Sequence, residues 1–110
     1  MIFESNMSIL YSDIAVPEVF VTEHLHLMDS FEVKIYIYCL FLSKHGKSAS
    51  AEDLSKALDL NIDTVKKGLE QLENRGLIVR DDNRITIVDL KEMVIKKLYR
   101  PKNTSTPEEA

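Results

Sequence analysis

The sequence predicts a mostly helical domain with a small β-wing, and three features of the pattern lead to this prediction. Residues 50–76 combine helix-capping residues with apolar residues at helical spacing. Two β-branched runs follow and flank a turn-forming cluster at 81–83. An apolar stretch upstream, with caps on both sides, predicts one longer helix. A helix–turn–helix followed by a two-stranded wing is the winged-helix arrangement.

The N-terminal segment is predicted to extend this unit with a strand and a brief helix. Residues 1–13 carry no hydrophobic period, and we expect them to be flexible. The run VFV at 19–21 is rich in β-formers and follows Pro17, which suits the entry to an edge strand. Thr22 can then cap a brief helix over 23–28.

A long helix is predicted between Asp29 and Gly46. Asp29 and Glu32 form a capping box at its start, and Gly46 suits a left-handed stop. The helix is apolar nearly all round and must be buried on more than one side. Either this chain covers the second side or another subunit does, since aromatic residues are enriched at interfaces. The candidate oligomer interface consists of Val19, Phe20, Val21, Tyr36, Ile37, Leu40 and Phe41.

Three further helices complete the predicted domain. Ser50 caps the first, Asn61 caps the second, and Gly76 supplies the left-handed end of the second. After the wing, Asp89 caps an extra C-terminal helix that runs to about Tyr99. We therefore expect a winged-helix domain over 14–100 and a linker-like tail over 101–110, where prolines and small polar residues dominate.

Charge is distributed unevenly along the chain. Residues 50–89 contain six basic and nine acidic residues, whereas residues 90–102 contain five basic residues and one acid. A domain that depends on phosphate contacts is normally basic across its docking face. The basic block after the wing is therefore the main electrostatic candidate for nucleic acid or an acidic partner. Its alternative role is to solvate an amphipathic helix and stabilise its C-terminal end.

The second helix of the helix–turn–helix offers a weaker case for reading DNA bases. Lys67 could pair with guanine and Gln71 with adenine. Asp63 and Glu70 share that surface, and they favour an ordinary solvated salt-bridge face instead. Arg84 of the wing could reach a phosphate, although two aspartates lie at the wing tip. The candidate contacts to nucleic acid or an acidic partner are Lys91, Lys96, Lys97, Arg100, Lys67, Gln71 and Arg84.

Enzyme chemistry is not expected. The three histidines lack metal-ligand spacing, and no phosphate-binding glycine loop or nucleophile motif is present. We expect no metal and no cofactor. Cys39 is the only cysteine, no secretory signal is visible, and the longest apolar run has eight residues, so we expect a cytoplasmic protein without a membrane span.

The run VFV at 19–21, VKIYIYCLFLSKHG in the long helix, and ASAEDLSKALDLNIDTVKKGLEQLENRGLI resemble the N-terminal domain of DnaD-type bacterial replication-initiation proteins and phage replisome organisers. The resemblance covers residues 14–100. It implies a winged helix that self-associates as a dimer or tetramer and contacts other initiation proteins. A separate C-terminal domain supplies much of the DNA binding in that family, and the tail over 101–110 is where a linker to it would begin.

The sequence is therefore consistent with two functions. The first is an oligomerising scaffold domain of a primosome protein, with only weak and non-specific DNA contact. The alternative is a dimeric winged-helix transcription regulator that binds operator DNA. The acidic helix face and the apolar long helix favour the first.

Overall fold

The structure is a computed structural model, and it describes residues 1–6, 12–82 and 84–90. Its elements in chain order are a π-helical turn Phe20–His24, a 3-10 turn Leu25–Leu27, α1 Ser30–Lys44, α2 Ala51–Leu58, α3 Ile62–Asn74, β1 Ile78–Asp81 and β2 Arg84–Ile87. The prediction of a mostly helical chain with a small β-ribbon is confirmed.

The caps that start α2 and α3 are those expected from the sequence. Ser50 Oγ accepts a hydrogen bond from the Asp53 N–H at 3.1 Å, and the Asp53 carboxylate accepts one from the Ser50 N–H at 3.0 Å. Asn61 Oδ1 accepts from the Thr64 N–H at 2.8 Å. Each bond satisfies an N–H that the first helical turn leaves without a partner, which fixes where the two helices begin.

α1 and α3 cross closely at Gly68. A Cβ at this position would overlap Ile35 Cδ1 and lie 3.3 Å from Phe31 Cδ2, so a larger residue fits at this separation only if these side chains shift. Ile35, Val65 and Leu72 are fully buried around the crossing. The core therefore lies between α1 and α3, and α2 and the hairpin close it from the sides.

The two strands form an antiparallel hairpin in which Asp81 pairs with Arg84 and Ile78 pairs with Ile87. The pairing leaves two residues for the turn, and Asp82 has a φ of 52°, as such tight hairpin turns require. Below the strands, the Val88 N–H donates to the Leu77 carbonyl at 3.0 Å. The wing predicted around 81–83 is thus a short hairpin.

The predicted strand at 19–21 is wrong, because these residues begin a helical turn. The Phe20 N–H donates to the Pro17 carbonyl at 3.1 Å, and Phe20 is 2% exposed. Its ring stacks on Tyr36 with centroids 4.3 Å apart. Burying this ring on α1 outweighs the β-propensity of the VFV run. The brief helix predicted over 23–28 is present in part, as the two helical turns that begin earlier, at Phe20, and end at Leu27.

Several predictions lie outside the described residues. They are part of the flexible segment over 1–13, the C-terminal helix beyond Leu90, the basic block with Lys91, Lys96, Lys97 and Arg100, and the tail. Leu90 itself is buried. Within the described ranges, no helix has the length and apolar character needed to cross a bilayer.

Candidate functional site: two interaction surfaces

The inner face of α1 is closed within the chain. Ile35 and Tyr36 have no exposed area and Cys39 is 5% exposed. Phe20 covers Tyr36 directly. Phe20 and Tyr36 were predicted at an oligomer interface. Both belong instead to the core of the chain, because the N-terminal turn folds back on α1.

The outer face of α1 is open and forms the first surface, which we name the α1 groove. It is a concave region of about 360 Å³ lined by Val33, Lys34, Ile37, Tyr38, Phe41 and Leu58. The rings of Tyr38 and Phe41 lie 5.5 Å apart along it. Ile37 and Phe41, two of the predicted interface residues, thus line a continuous apolar surface. An aromatic surface of this kind is typical of a protein–protein contact.

The remaining predicted interface residues lie apart from this groove. Leu40 and Val19 are half-buried and pack against the core cluster. Val21 is 48% exposed on the N-terminal turn, close in sequence to Leu27, which is 62% exposed. The residues predicted to form one oligomer interface therefore lie in three places: the core, the α1 groove and the N-terminal turn.

A buried ion pair holds the start of α1 to the end of α3. Glu32 has no exposed side-chain area, and its Oε2 accepts a hydrogen bond from Arg75 Nε at 2.7 Å. Glu32 Oε1 accepts from the Asp29 N–H at 2.8 Å, and Arg75 Nη2 donates to the Leu27 carbonyl at 2.9 Å. Burial opposes ionisation of Glu32, but the Arg75 and Asp29 bonds outweigh it and lower the pKa of this carboxyl.

The exposed side of α3 and the hairpin form the second surface, which is the one predicted to meet nucleic acid. Lys67 Nζ lies 5.7 Å from the centroid of the Phe31 ring. Gln71 is half-buried, and its Oε1 is enclosed with no hydrogen-bond partner in the part of the chain that the structure describes. Arg80 of β1 forms an ion pair with Glu73 at 3.0 Å. Arg75 and Arg80 are therefore held in ion pairs within the chain, whereas the ring contact leaves the charge of Lys67 in place. Gln71 does not present its oxygen for base reading.

Arg84, the remaining described candidate on this side, lines a second cavity. This cavity, which we name the hairpin pocket, has a volume of about 540 Å³ and lies between the end of α1, the α1–α2 loop and β2. Its lining residues are Cys39, Leu42, Ser43, Gly46, Lys47, Ser48, Ala49, Leu54, Arg84, Ile85 and Ile87. No argument from the sequence pointed to this cavity, because its walls come from distant segments.

Burial raises the pKa of the Cys39 thiol to about 11. The thiol is therefore protonated near neutral pH and is a poor nucleophile. Over the described ranges, no three His, Cys, Asp or Glu side chains converge as a metal site requires.

The long-range contact between Glu32 and Arg75 was not predicted from the sequence. Glu32 was recognised only as a capping residue, and Arg75 was not singled out. The available signal was an acidic residue inside an otherwise apolar helix, since a buried carboxylate needs a cationic or hydrogen-bonding partner.

Comparison with protein-family models, with curated proteins and with solved structures finds no match to this chain.

Proposed function

We propose that this chain is an oligomerising winged-helix scaffold domain of a DnaD-like replication-initiation protein. Its support is the order of the elements, in which two short helices joined by a tight turn precede a hairpin, together with the resemblance of residues 14–100. The scaffold acts by protein–protein association in the cytoplasm and has no catalytic role. Its partners are a second copy of itself and other replication-initiation proteins.

The α1 groove is the observation that carries this proposal. Its described walls come from the aliphatic and aromatic side chains of α1 and from Leu58 of α2, and among them only Lys34 is charged. A second copy that buried this groove would gain roughly 25 cal/mol for each Å² of apolar area removed from water. Symmetric pairing of one surface with itself is the commonest way for soluble chains to associate.

Charge pairing on the α3–hairpin surface argues against a base-reading regulator. Arg75 and Arg80 are each held by a carboxylate. Freeing these two arginines for phosphates would break ion pairs that already exist in the chain. DNA contact of this domain is therefore weak, insensitive to sequence, and carried by Lys91, Lys96, Lys97 and Arg100.

Light scattering over a range of concentrations tests self-association. The proposal predicts a weight-average mass of at least a dimer at tens of micromolar, with dissociation on dilution. A monomer mass that does not change with concentration contradicts it.

A duplex titration separates the scaffold from the regulator. The scaffold predicts weak binding that fades steeply between about 50 and 200 mM salt, because phosphate contacts release counterions. Replacing Lys96 and Lys97 with Gln abolishes this binding, whereas replacing Lys67 and Gln71 with Ala changes little. Tight, sequence-selective binding that is lost on the Lys67 and Gln71 change would establish the regulator instead.

A further inference from the structure

Among the described residues, the hairpin pocket has an apolar floor and only cationic charges in its walls. Cys39 and Leu54 are buried beneath it, and Lys47 and Arg84 contribute exposed, charged side chains from two separate segments. None of its described lining residues is acidic, although the whole chain carries a net charge of −4. A concave site with charge of one sign selects ligands of the opposite sign.

Arg84 and Lys47 are not neutralised by ion pairs among the described residues. Arg84 stands opposite Asp81 in the hairpin, yet the ion pairs found in this part of the chain involve Arg75 and Arg80 instead. Lys47 Nζ lies 5.9 Å from the centroid of the Phe41 ring, a contact that leaves its charge in place. Both cations are thus available to an anionic group from outside the chain.

One wall of the pocket is the outer edge of β2. Opposed residues in an antiparallel ladder alternate between hydrogen-bonded and non-bonded pairs. The Val88 N–H bonds the Leu77 carbonyl, so Ile87 and Ile85 occupy non-bonded positions and direct their backbone N–H and C=O groups away from β1. Both residues line the pocket. In the described ranges, no backbone hydrogen bond joins β2 to the α1–α2 loop across from it.

We propose that the hairpin pocket binds an extended, acidic peptide segment of a partner protein. The peptide adds a strand to the outer edge of β2 and bonds the backbone of Ile85 and Ile87. A bulky apolar side chain of the peptide rests on the floor above Leu54, and flanking carboxylates meet Arg84 and Lys47. The volume of about 540 Å³ lies within the range of roughly 300–1,000 Å³ that is usual for ligand sites.

This site is separate from the proposed self-association. The hairpin pocket shares no lining residue with the α1 groove. A chain that proved monomeric would still bind the peptide, so the failure of one proposal leaves the other standing.

The test uses the 110-residue chain and a fluorescein-labelled synthetic octapeptide in which glutamate alternates with leucine. Anisotropy measures its affinity, and amide NMR shifts locate it. We expect the largest shifts at Ile85 and Ile87. Combined Lys47→Glu and Arg84→Glu substitutions weaken binding by about tenfold or more, which corresponds to about 1.4 kcal/mol. The matched control is Lys56→Glu with Lys66→Glu, which changes the net charge equally outside the pocket and alters affinity by less than about twofold.

Four results would overturn the proposal. An equal loss of peptide affinity in both double variants would show that the peptide is attracted by the overall charge and not by a specific site. Shifts that avoid Ile85 and Ile87 would place the peptide elsewhere. If self-association protects the amides of Ile85 and Ile87 and the peptide does not displace the associated copy, the occupant of the hairpin pocket is a second copy of the chain. Duplex DNA that displaces the peptide and requires Lys47 and Arg84 would make nucleic acid the ligand.

Discussion

The two faces of α1 are similar in sequence and opposite in surroundings. Ile35 lies on the inner face against Gly68 and has no exposed area, whereas Ile37, two residues later, lines the open α1 groove. Each face also holds one charged residue. Glu32 on the inner face is sealed by Arg75, and Lys34 on the outer face is exposed. Apolar composition alone therefore does not distinguish a helix face that stabilises the chain from one that is available to a partner.

Truncating the two isoleucines separately should give the largest difference in stability between the two faces. Ile35→Ala should lower the free energy of unfolding by about 3–4 kcal/mol, because it leaves a cavity at a fully buried site. Ile37→Ala should lower it by only about 1–2 kcal/mol, because this side chain packs against the core with part of its surface and is only partly buried. Urea denaturation near 1 µM, where association contributes least, measures both. Equal losses would show that the outer face is as much a part of the core as the inner one.

Next in size is the ion pair on the inner face. Glu32→Ala should cost about 2–3 kcal/mol of unfolding free energy, somewhat below the usual loss for a buried pair because Arg75 is 28% exposed and regains water. Glu73→Ala removes the partly exposed partner of Arg80 and should cost less than about 1 kcal/mol. Denaturant unfolding of the two variants side by side makes the comparison. A loss at Glu73 that matched the loss at Glu32 would contradict the proposed difference between the pairs.

The same pair predicts how stability depends on pH. The pKa of Glu32 is lower in the folded chain than in the unfolded one. Its contribution is therefore complete above the unfolded pKa and is lost as the pH falls through the folded pKa. The difference in unfolding free energy between the wild type and Glu32→Gln should be largest near neutral pH and should shrink as the pH falls from about 5 towards 3. A difference that stays constant over this range would exclude the ionised carboxylate as its source.

A smaller effect is expected at the helix crossing. Gly68→Ala improves helix propensity by up to about 1 kcal/mol but forces a Cβ against Ile35 Cδ1, so the net result should be destabilisation by about 1 kcal/mol. Ile35→Val removes the opposing Cδ1 and should restore part of the loss in the double variant. Thermal unfolding of the two single variants and the double variant measures this coupling. Strictly additive losses would show that the two residues do not touch.

The smallest effect concerns Tyr36. Its hydroxyl is buried without a hydrogen-bond partner among the described residues, and burial raises its pKa. Tyr36→Phe removes this unsatisfied group while keeping the stack on Phe20, so the change in unfolding free energy should lie between zero and about 1 kcal/mol of stabilisation. A clear destabilisation in denaturant unfolding would mean that the hydroxyl has a partner in solution.

Local signals in the sequence predicted α1, α2, α3 and the hairpin. Ser50, Asp53 and Asn61 act through residues three positions away, so their caps could be found from spacing alone. The strand at 19–21 failed because Phe20 is held by a residue sixteen positions further on. The ion pair between Glu32 and Arg75 is likewise a tertiary contact.

The candidate surfaces were predictable only in part, for the same reason. The outer face of α1 followed from an apolar pattern that runs round the helix, and Ile37 and Phe41 do line the groove. The hairpin pocket draws its walls from residues 39–54 and 84–87, which spacing in the sequence cannot bring together.

Sedimentation equilibrium of the wild type and Ile37→Glu tests most directly the claim that the outer face of α1 joins two copies. At about 50 µM the wild type should have at least twice the monomer mass, and Ile37→Glu should be a monomer with unchanged helix content by circular dichroism. Ser43→Glu places the same charge on α1 outside the groove and should associate like the wild type. A monomeric wild type, or an Ile37→Glu variant that still associates, would contradict the account.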